Sequence, residues 1–146
     1  MPPKPLALFF DIGDTLATPR LTSTGALAAL DPFPFVPEIL TRLKPLGRLG
    51  LISNTGSETM QSLQSLLIAS ALMPFFDPAL LLFSSVEGKD KSQRAFFELA
   101  VQRAGLLPSR CVFIGEDAAE RAVARSAGLV VSFHPLHVFH VVKQMQ

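Results

Sequence analysis

Five short apolar runs separated by segments of helical character constrain this chain more than any other feature of it. Residues 6–10, 49–53, 79–83, 111–114 and 129–132 are each four or five residues long and rich in Leu, Ile, Val and Phe. They are too short for helices and too continuously apolar for half-exposed strands, which marks them as strands buried on both faces, as in a parallel sheet. Helix-compatible segments lie between them. Residues 38–43 are stopped by Pro45 and Gly47; after Thr55 and Glu58, which have capping-box spacing, Met60, Leu63, Leu67 and Ala71 share one face. A segment capped by Ser92 turns Phe96, Phe97, Ala100 and Val101 inward and ends at Gly105. Residues 116–127 form another, ended by Gly128, and a last helix follows Pro135. Strands alternating with helices predict an α/β fold: a three-layer sandwich with a central parallel sheet of about five strands and helices on both faces. Residues 12–37, interrupted by Pro19, Pro32, Pro34 and Pro37, read as an irregular loop, and a loop of that length is usually functional or flexible.

Composition narrows the class. A chain of 146 residues, 49% hydrophobic and 17% charged, suits one globular core with no second domain. The formal net charge of +1, without a block of like charges, argues against a nucleic-acid or acidic-membrane partner. The single cysteine, Cys111, leaves no internal disulfide framework, and its place in an apolar run marks a core thiol. The first residues reach an acidic position too soon for a secretory leader, and no apolar stretch is long enough to span a bilayer. A cytoplasmic protein is expected.

In a sheet of this kind ligands bind beyond the carboxyl ends of the strands. The residues there are Asp11 after the first run, Ser53 and Asn54 after the second, Lys91 after the third, and Glu116 and Asp117 after the fourth. Each has an ordinary explanation alone: a turn residue, a helix start, a solvated lysine, acids at a helix N-terminus. Together, four separate stretches bring acidic, hydroxyl and cationic groups to one edge. Carboxylates from two strand ends suit Mg²⁺, a hard cation that prefers oxygen ligands. One carboxylate can also attack phosphorus, while a lysine, a hydroxyl and free amides surround the transferring group.

The segments FFDIGDTL around Asp11, LISN ending at Asn54, GKDKSQRAFF around Lys91 and FIGEDAAERAVARSAG from Phe113 together resemble the haloacid dehalogenase (HAD) superfamily. The resemblance runs in order over residues 6–128. It implies a Rossmann-like hydrolase core without an inserted cap domain, acting as a Mg²⁺-dependent phosphatase through an aspartyl-phosphate. By this resemblance Asp11 is the nucleophile and a metal ligand, and the Gly13 carbonyl is a second ligand. Ser53 and the Asn54 amide hold phosphoryl oxygens, and Lys91 neutralises charge between nucleophile and phosphate. Glu116 takes the metal-ligand position with Asp117 and Glu120 as supporting acids. Acids at that place favour a phosphate substrate over a haloacid, because the dehalogenases of the superfamily need no metal.

Two departures stand out. Gly13 occupies the place of the usual acid/base aspartate, leaving Asp14 one position further along to take that role. Glu116 replaces an aspartate, and its extra methylene favours water-mediated contact with the ion. Roughly thirty residues separate the first two strands, too few for a cap domain. An uncapped site implies selection by a large phosphorylated substrate, an oligomeric neighbour or the loop itself, where Phe33, Phe35 and Arg20 are candidate contacts. His134, His137 and His140 recur every third residue, but Pro135 and helical spacing argue against a metal cluster. The competing reading is a catalytically weak or inactive relative that binds phosphate or a protein. A phosphoacceptor receiver domain is disfavoured, because its lysine follows a strand near the chain end.

Overall fold

The computed structural model describes residues 5–145. Its elements are β1 (Ala7–Phe10), β2 (Ala17–Leu21), β3 (Leu27–Pro32), α1 (Val36–Leu43), β4 (Arg48–Ser53), α2 (Met60–Ala69), β5 (Leu81–Phe83), α3 (Ser84–Glu87), α4 (Arg94–Ala104), β6 (Cys111–Ile114), α5 (Ala118–Ser126), β7 (Val130–Ser132) and α6 (Val138–Met145). Strands β5-β4-β1-β6-β7 form a five-stranded, wholly parallel sheet with β1 at its centre. All five apolar runs of the sequence are therefore its strands. Among the described residues no helix is long and apolar enough to cross a membrane.

Alternation along each strand sorts the core into two layers. Leu8 and Phe10 of β1, with Leu49 and Leu51 of β4 and Val112 and Ile114 of β6, pack beneath α1, α2 and α6. Ala7 and Phe9, with Ile52, Cys111 and Phe113, face α4 and α5 on the other side. Both layers are closed, and β1 is fully buried along its length. Each wholly buried Phe or Leu contributes about 1.5–3 kcal/mol, so β1 and its central place are strongly specified. Gly50 is required by close packing: a Cβ there would lie 2.6 Å from the Leu80 carbonyl oxygen.

Several local expectations are corrected. Residues 12–37 are not irregular: β2 and β3 form an antiparallel hairpin outside the main sheet, turning at Gly25 (φ 86°). A hairpin of two edge strands admits Pro19, paired with Leu30, because its missing N–H can face away from the partner. The capping box of α2 uses Thr59 and Ser62, not Thr55 and Glu58. Glu58 instead accepts from the Leu27 amide at 3.0 Å and the Ser62 hydroxyl at 2.9 Å, fastening the hairpin to α2. Ala71 leaves the apolar stripe in a left-handed turn (φ 62°), and Leu72 is buried beside it. Residues 78–80 form a short 3₁₀ turn capped by Asp77, so β5 begins at Leu81. Gln93, not Ser92, is the N-cap position of α4, while Ser92 turns back onto Asp90. Helix α5 starts at Ala118 with Asp117 as its cap.

Candidate active site at the carboxyl edge of the sheet

Asp11 follows β1 directly and is 8% exposed. Its backbone amide donates to the Ile114 carbonyl at 2.9 Å, extending the β1–β6 pairing by one residue and holding the carboxylate at the strand exit. Its Oδ1 accepts from the Ile12 amide at 2.8 Å. Ser53 ends β4 and is 5% exposed, and its hydroxyl makes no hydrogen bond among the described residues.

Lys91 closes the arrangement. It is 2% exposed, and its Nζ lies 2.7 Å from Asp11 Oδ1 and 2.9 Å from Glu120 Oε1. A lysine is almost never buried unless paired, and this one is paired twice. The Asn54 side chain supplies the anchor: its Oδ1 accepts from the Lys91 backbone amide at 3.0 Å. Beside it the Thr55 amide donates to Ser84 Oγ at 2.8 Å, and the Thr55 hydroxyl meets Ser85 Oγ at 2.7 Å. The exit of β4 is thereby tied to the start of α3, and the chain returns from α3 to present Lys91.

The acids separate into different tasks. Asp117 Oδ1 accepts from the Glu120 amide at 3.0 Å, so it is committed to capping α5. Glu120, one turn along, turns toward Lys91, and burial pushes its carboxyl above the usual range while Lys91 pulls it back in part. Glu116 is exposed and, among the described residues, engages no ion pair. Asp14 is exposed in a left-handed turn (φ 60°). Arg121 was not singled out by sequence; it donates to the Gly115 carbonyl at 2.8 Å and pins the loop carrying Glu116. Thr55, Ser84 and Ser85 were also missed, although two serines directly after an apolar run are a legible strand-exit signal.

The remaining candidates do not join the site. Arg20 pairs with Asp31 at 2.7 Å across the hairpin. Phe33 stacks on Phe35, whose ring centroid is 5.3 Å from that of His134. His137 bonds Ser132 through Nδ1 at 2.9 Å and packs between Phe133 and His140. Cys111 is buried, and desolvation pushes its thiol up to about 11.

The donors at this edge are oxygens, the ligand type Mg²⁺ prefers. Among the described residues no three His, Cys, Asp or Glu side chains form a ready-made cage. Mg²⁺ needs none, since it binds through one or two carboxylates and keeps several waters. Among the described residues the Gly13 carbonyl accepts no backbone hydrogen bond. Among the described residues Glu116 makes no ion pair, and Asp11 keeps one carboxylate oxygen beyond the one that meets Lys91 and the Ile12 amide. Oxygen donors of this kind fit a hard divalent cation.

Structure comparison bears on the fold. The chain is similar to a HAD-superfamily hydrolase, subfamily IA, variant 1, from Geobacter sulfurreducens (TM-score 0.72, 14% identity, 94% of this chain and 100% of that one). It is also similar to a Bacillus subtilis protein assigned as a HAD-hydrolase and bound to magnesium (TM-score 0.73, 12% identity, 95% and 99%). A third similar structure is the L-2-haloacid dehalogenase of Xanthobacter autotrophicus with chloropropionic acid covalently bound (TM-score 0.70, 14% identity, 88% and 76%). No family model and no curated protein sequence matches the chain. The fold is that of the HAD-superfamily hydrolases.

Proposed function

We propose that this chain hydrolyses phosphate monoesters through a phosphoryl group carried transiently on Asp11. The observation that carries the reading is the buried Lys91 ammonium, 2.7 Å from Asp11 and 2.9 Å from Glu120. A nucleophilic carboxylate must approach a phosphoryl group that is itself negative. At about 4 Å and an effective dielectric of 20, each pair of unit charges repels by about 4 kcal/mol, so a fixed cation between them is a requirement of the chemistry. The Ser53 hydroxyl, which has no hydrogen-bond partner among the described residues, would donate to a phosphoryl oxygen.

In the first step an Asp11 oxygen attacks phosphorus, the ester P–O bond breaks, and the departing oxygen takes a proton from solvent, since Gly13 offers none. In the second step water attacks phosphorus, inorganic phosphate leaves, and the Asp11 carboxylate is restored. Asn54 acts in both steps as a positioning residue by holding the Lys91 backbone. The other oxygen of Asp11, the Gly13 carbonyl and Glu116 would hold Mg²⁺; when bound, it would offset phosphoryl charge as a Lewis acid. Glu120 supports the site through Lys91, and Asp117 through the cap of α5.

A phosphate-ester screen with and without Mg²⁺ tests this reading. Released phosphate that depends on Mg²⁺ and disappears in Asp11→Asn is expected. A flat progress curve with every ester and metal refutes it and favours the second reading, a phosphate-binding protein without turnover, which Gly13 motivates.

A further inference from the structure

The β2–β3 hairpin and the loop after β4 border a half-open cavity of about 410 Å³. It begins at the site: Ile12 and Gly13, which follow Asp11, and Ser53 and Asn54 all line it. Its far walls are Pro19, Leu21, Leu27, Leu30 and Leu63. Among the described residues no lysine, arginine or histidine lines it, and Glu58 is its sole ionisable side chain.

The polar groups of the wall are largely committed elsewhere. Both Glu58 oxygens are taken, by the Leu27 amide and the Ser62 hydroxyl. Asn54 Oδ1 holds Lys91, the Thr55 hydroxyl holds Ser85, and Thr24 Oγ1 meets Thr22 Oγ1 at 3.0 Å. The surface left to a ligand is more apolar than polar, keeps the Ser53 hydroxyl as a donor, and carries one like charge for any anion. The volume is at the lower end of small-molecule pockets, which run to about 300–1,000 Å³. Sequence reasoning assigned substrate selection at an uncapped site to a large substrate, a neighbouring subunit or the loop itself; that loop folds into the hairpin that lines the cavity.

We propose that this cavity receives the leaving group of the substrate, and that this group is an uncharged, largely apolar alcohol, a phenol in preference to a sugar or a carboxylated alcohol. The proposal rests on the phosphatase reading above. Two independent features carry it. A carboxylate or second phosphate would be desolvated against leucines with no cation to pair it. Gly13 delivers no proton, so an oxygen that departs without protonation, as a phenolate can, is favoured over an alkoxide.

The test is steady-state kinetics with Mg²⁺ on phenyl phosphate, glycerol phosphate, phosphoglycolate and a sugar bisphosphate, in the wild type and in Leu21→Lys. Leu21 is 62% exposed, so this substitution leaves the core untouched, which a thermal melt verifies. Phenyl phosphate should show the highest kcat/KM, by about tenfold or more. Leu21→Lys should raise KM for phenyl phosphate and lower it for phosphoglycolate. Preference for a carboxylated ester or the bisphosphate, or selectivity unmoved by Leu21→Lys, overturns the proposal. If no ester is turned over, the phosphatase reading falls; tighter binding of phosphonoacetate than of phenylphosphonate would then overturn the cavity's apolar assignment separately, and the reverse order would uphold it.

Discussion

On the phosphatase reading, placing a carboxyl group at position 13 should raise the rate of ester hydrolysis. Gly13→Asp is sterically free: a Cβ at this position meets only Pro19 Cγ, at 3.8 Å, an ordinary contact. Its φ is not in the left-handed region, so an aspartate brings no backbone strain, unlike the neighbouring Asp14 at φ 60°. Gly13 lines the cavity together with Ser53 and Asn54, so a carboxyl group there faces the space proposed for the leaving group. A positioned general acid is worth about 10²- to 10⁴-fold in rate, or about 3–5 kcal/mol of barrier at 1.36 kcal/mol per tenfold. The gain should depend on the leaving group. An alkyl phosphate, whose alkoxide must be protonated as it departs, should approach the upper figure, and an aryl phosphate should fall near or below the lower one. Initial rates of phosphate release from matched alkyl and aryl esters measure the difference, and the variant's pH–rate profile should gain a limb for the new acid. A folded Gly13→Asp protein with equal gains on both esters, or none on either, would refute the assignment of position 13 to leaving-group protonation.

Three further outcomes follow from the geometry. Lys91→Met leaves the Asp11 and Glu120 carboxylates without their shared cation and should cost about 3–5 kcal/mol in urea unfolding, less in an Asp11→Asn background; an unchanged midpoint would contradict the double ion pair. Because burial raises the folded-state pKa of Glu120 above 4.5, the folded protein binds more protons than the unfolded chain between those two values, and this contribution to stability is present below pH 4.5 and lost as pH rises through the raised value. Unfolding free energies of wild type minus Glu120→Gln, which faces the same Lys91, Asp11 and Asp117, should therefore fall with rising pH across that window, and a rising difference would reverse the sign. Gly50→Ala forces a Cβ within 2.6 Å of the Leu80 carbonyl oxygen and should destabilise by about 1–3 kcal/mol; a melting temperature equal to wild type would show that β4 and the turn before β5 are not so tightly apposed.

The central sheet was legible because its strands are buried on both faces, which leaves a continuous apolar signature at 6–10 and 111–114 that no surface element imitates. The hairpin was not. Four of the five residues of β2 are exposed and one is Pro19, so neither alternation nor propensity marks it as a strand. Its identity comes from pairing with β3 and from Glu58, which is 31 positions from the Leu27 amide it accepts from. The same limit applies within the site. Asp11, Ser53 and Lys91 were recognisable from their places after apolar runs, and the structure brings Lys91 against Asp11. The Asn54 side chain's hold on the Lys91 amide spans 37 residues of sequence and depends on how two loops fold past each other. The capping role of Asp117 was not legible, because a helix cap and a metal ligand draw on the same residue type.

Trapping the covalent state tests the account most directly. Enzyme mixed with a labelled aryl phosphate and Mg²⁺, quenched in acid and mapped by peptide mass analysis, should carry a hydroxylamine-labile phosphoryl group on Asp11, absent without the metal and absent in Asp11→Asn. Label on any other residue, or phosphate release that persists undiminished in Asp11→Asn, would contradict it.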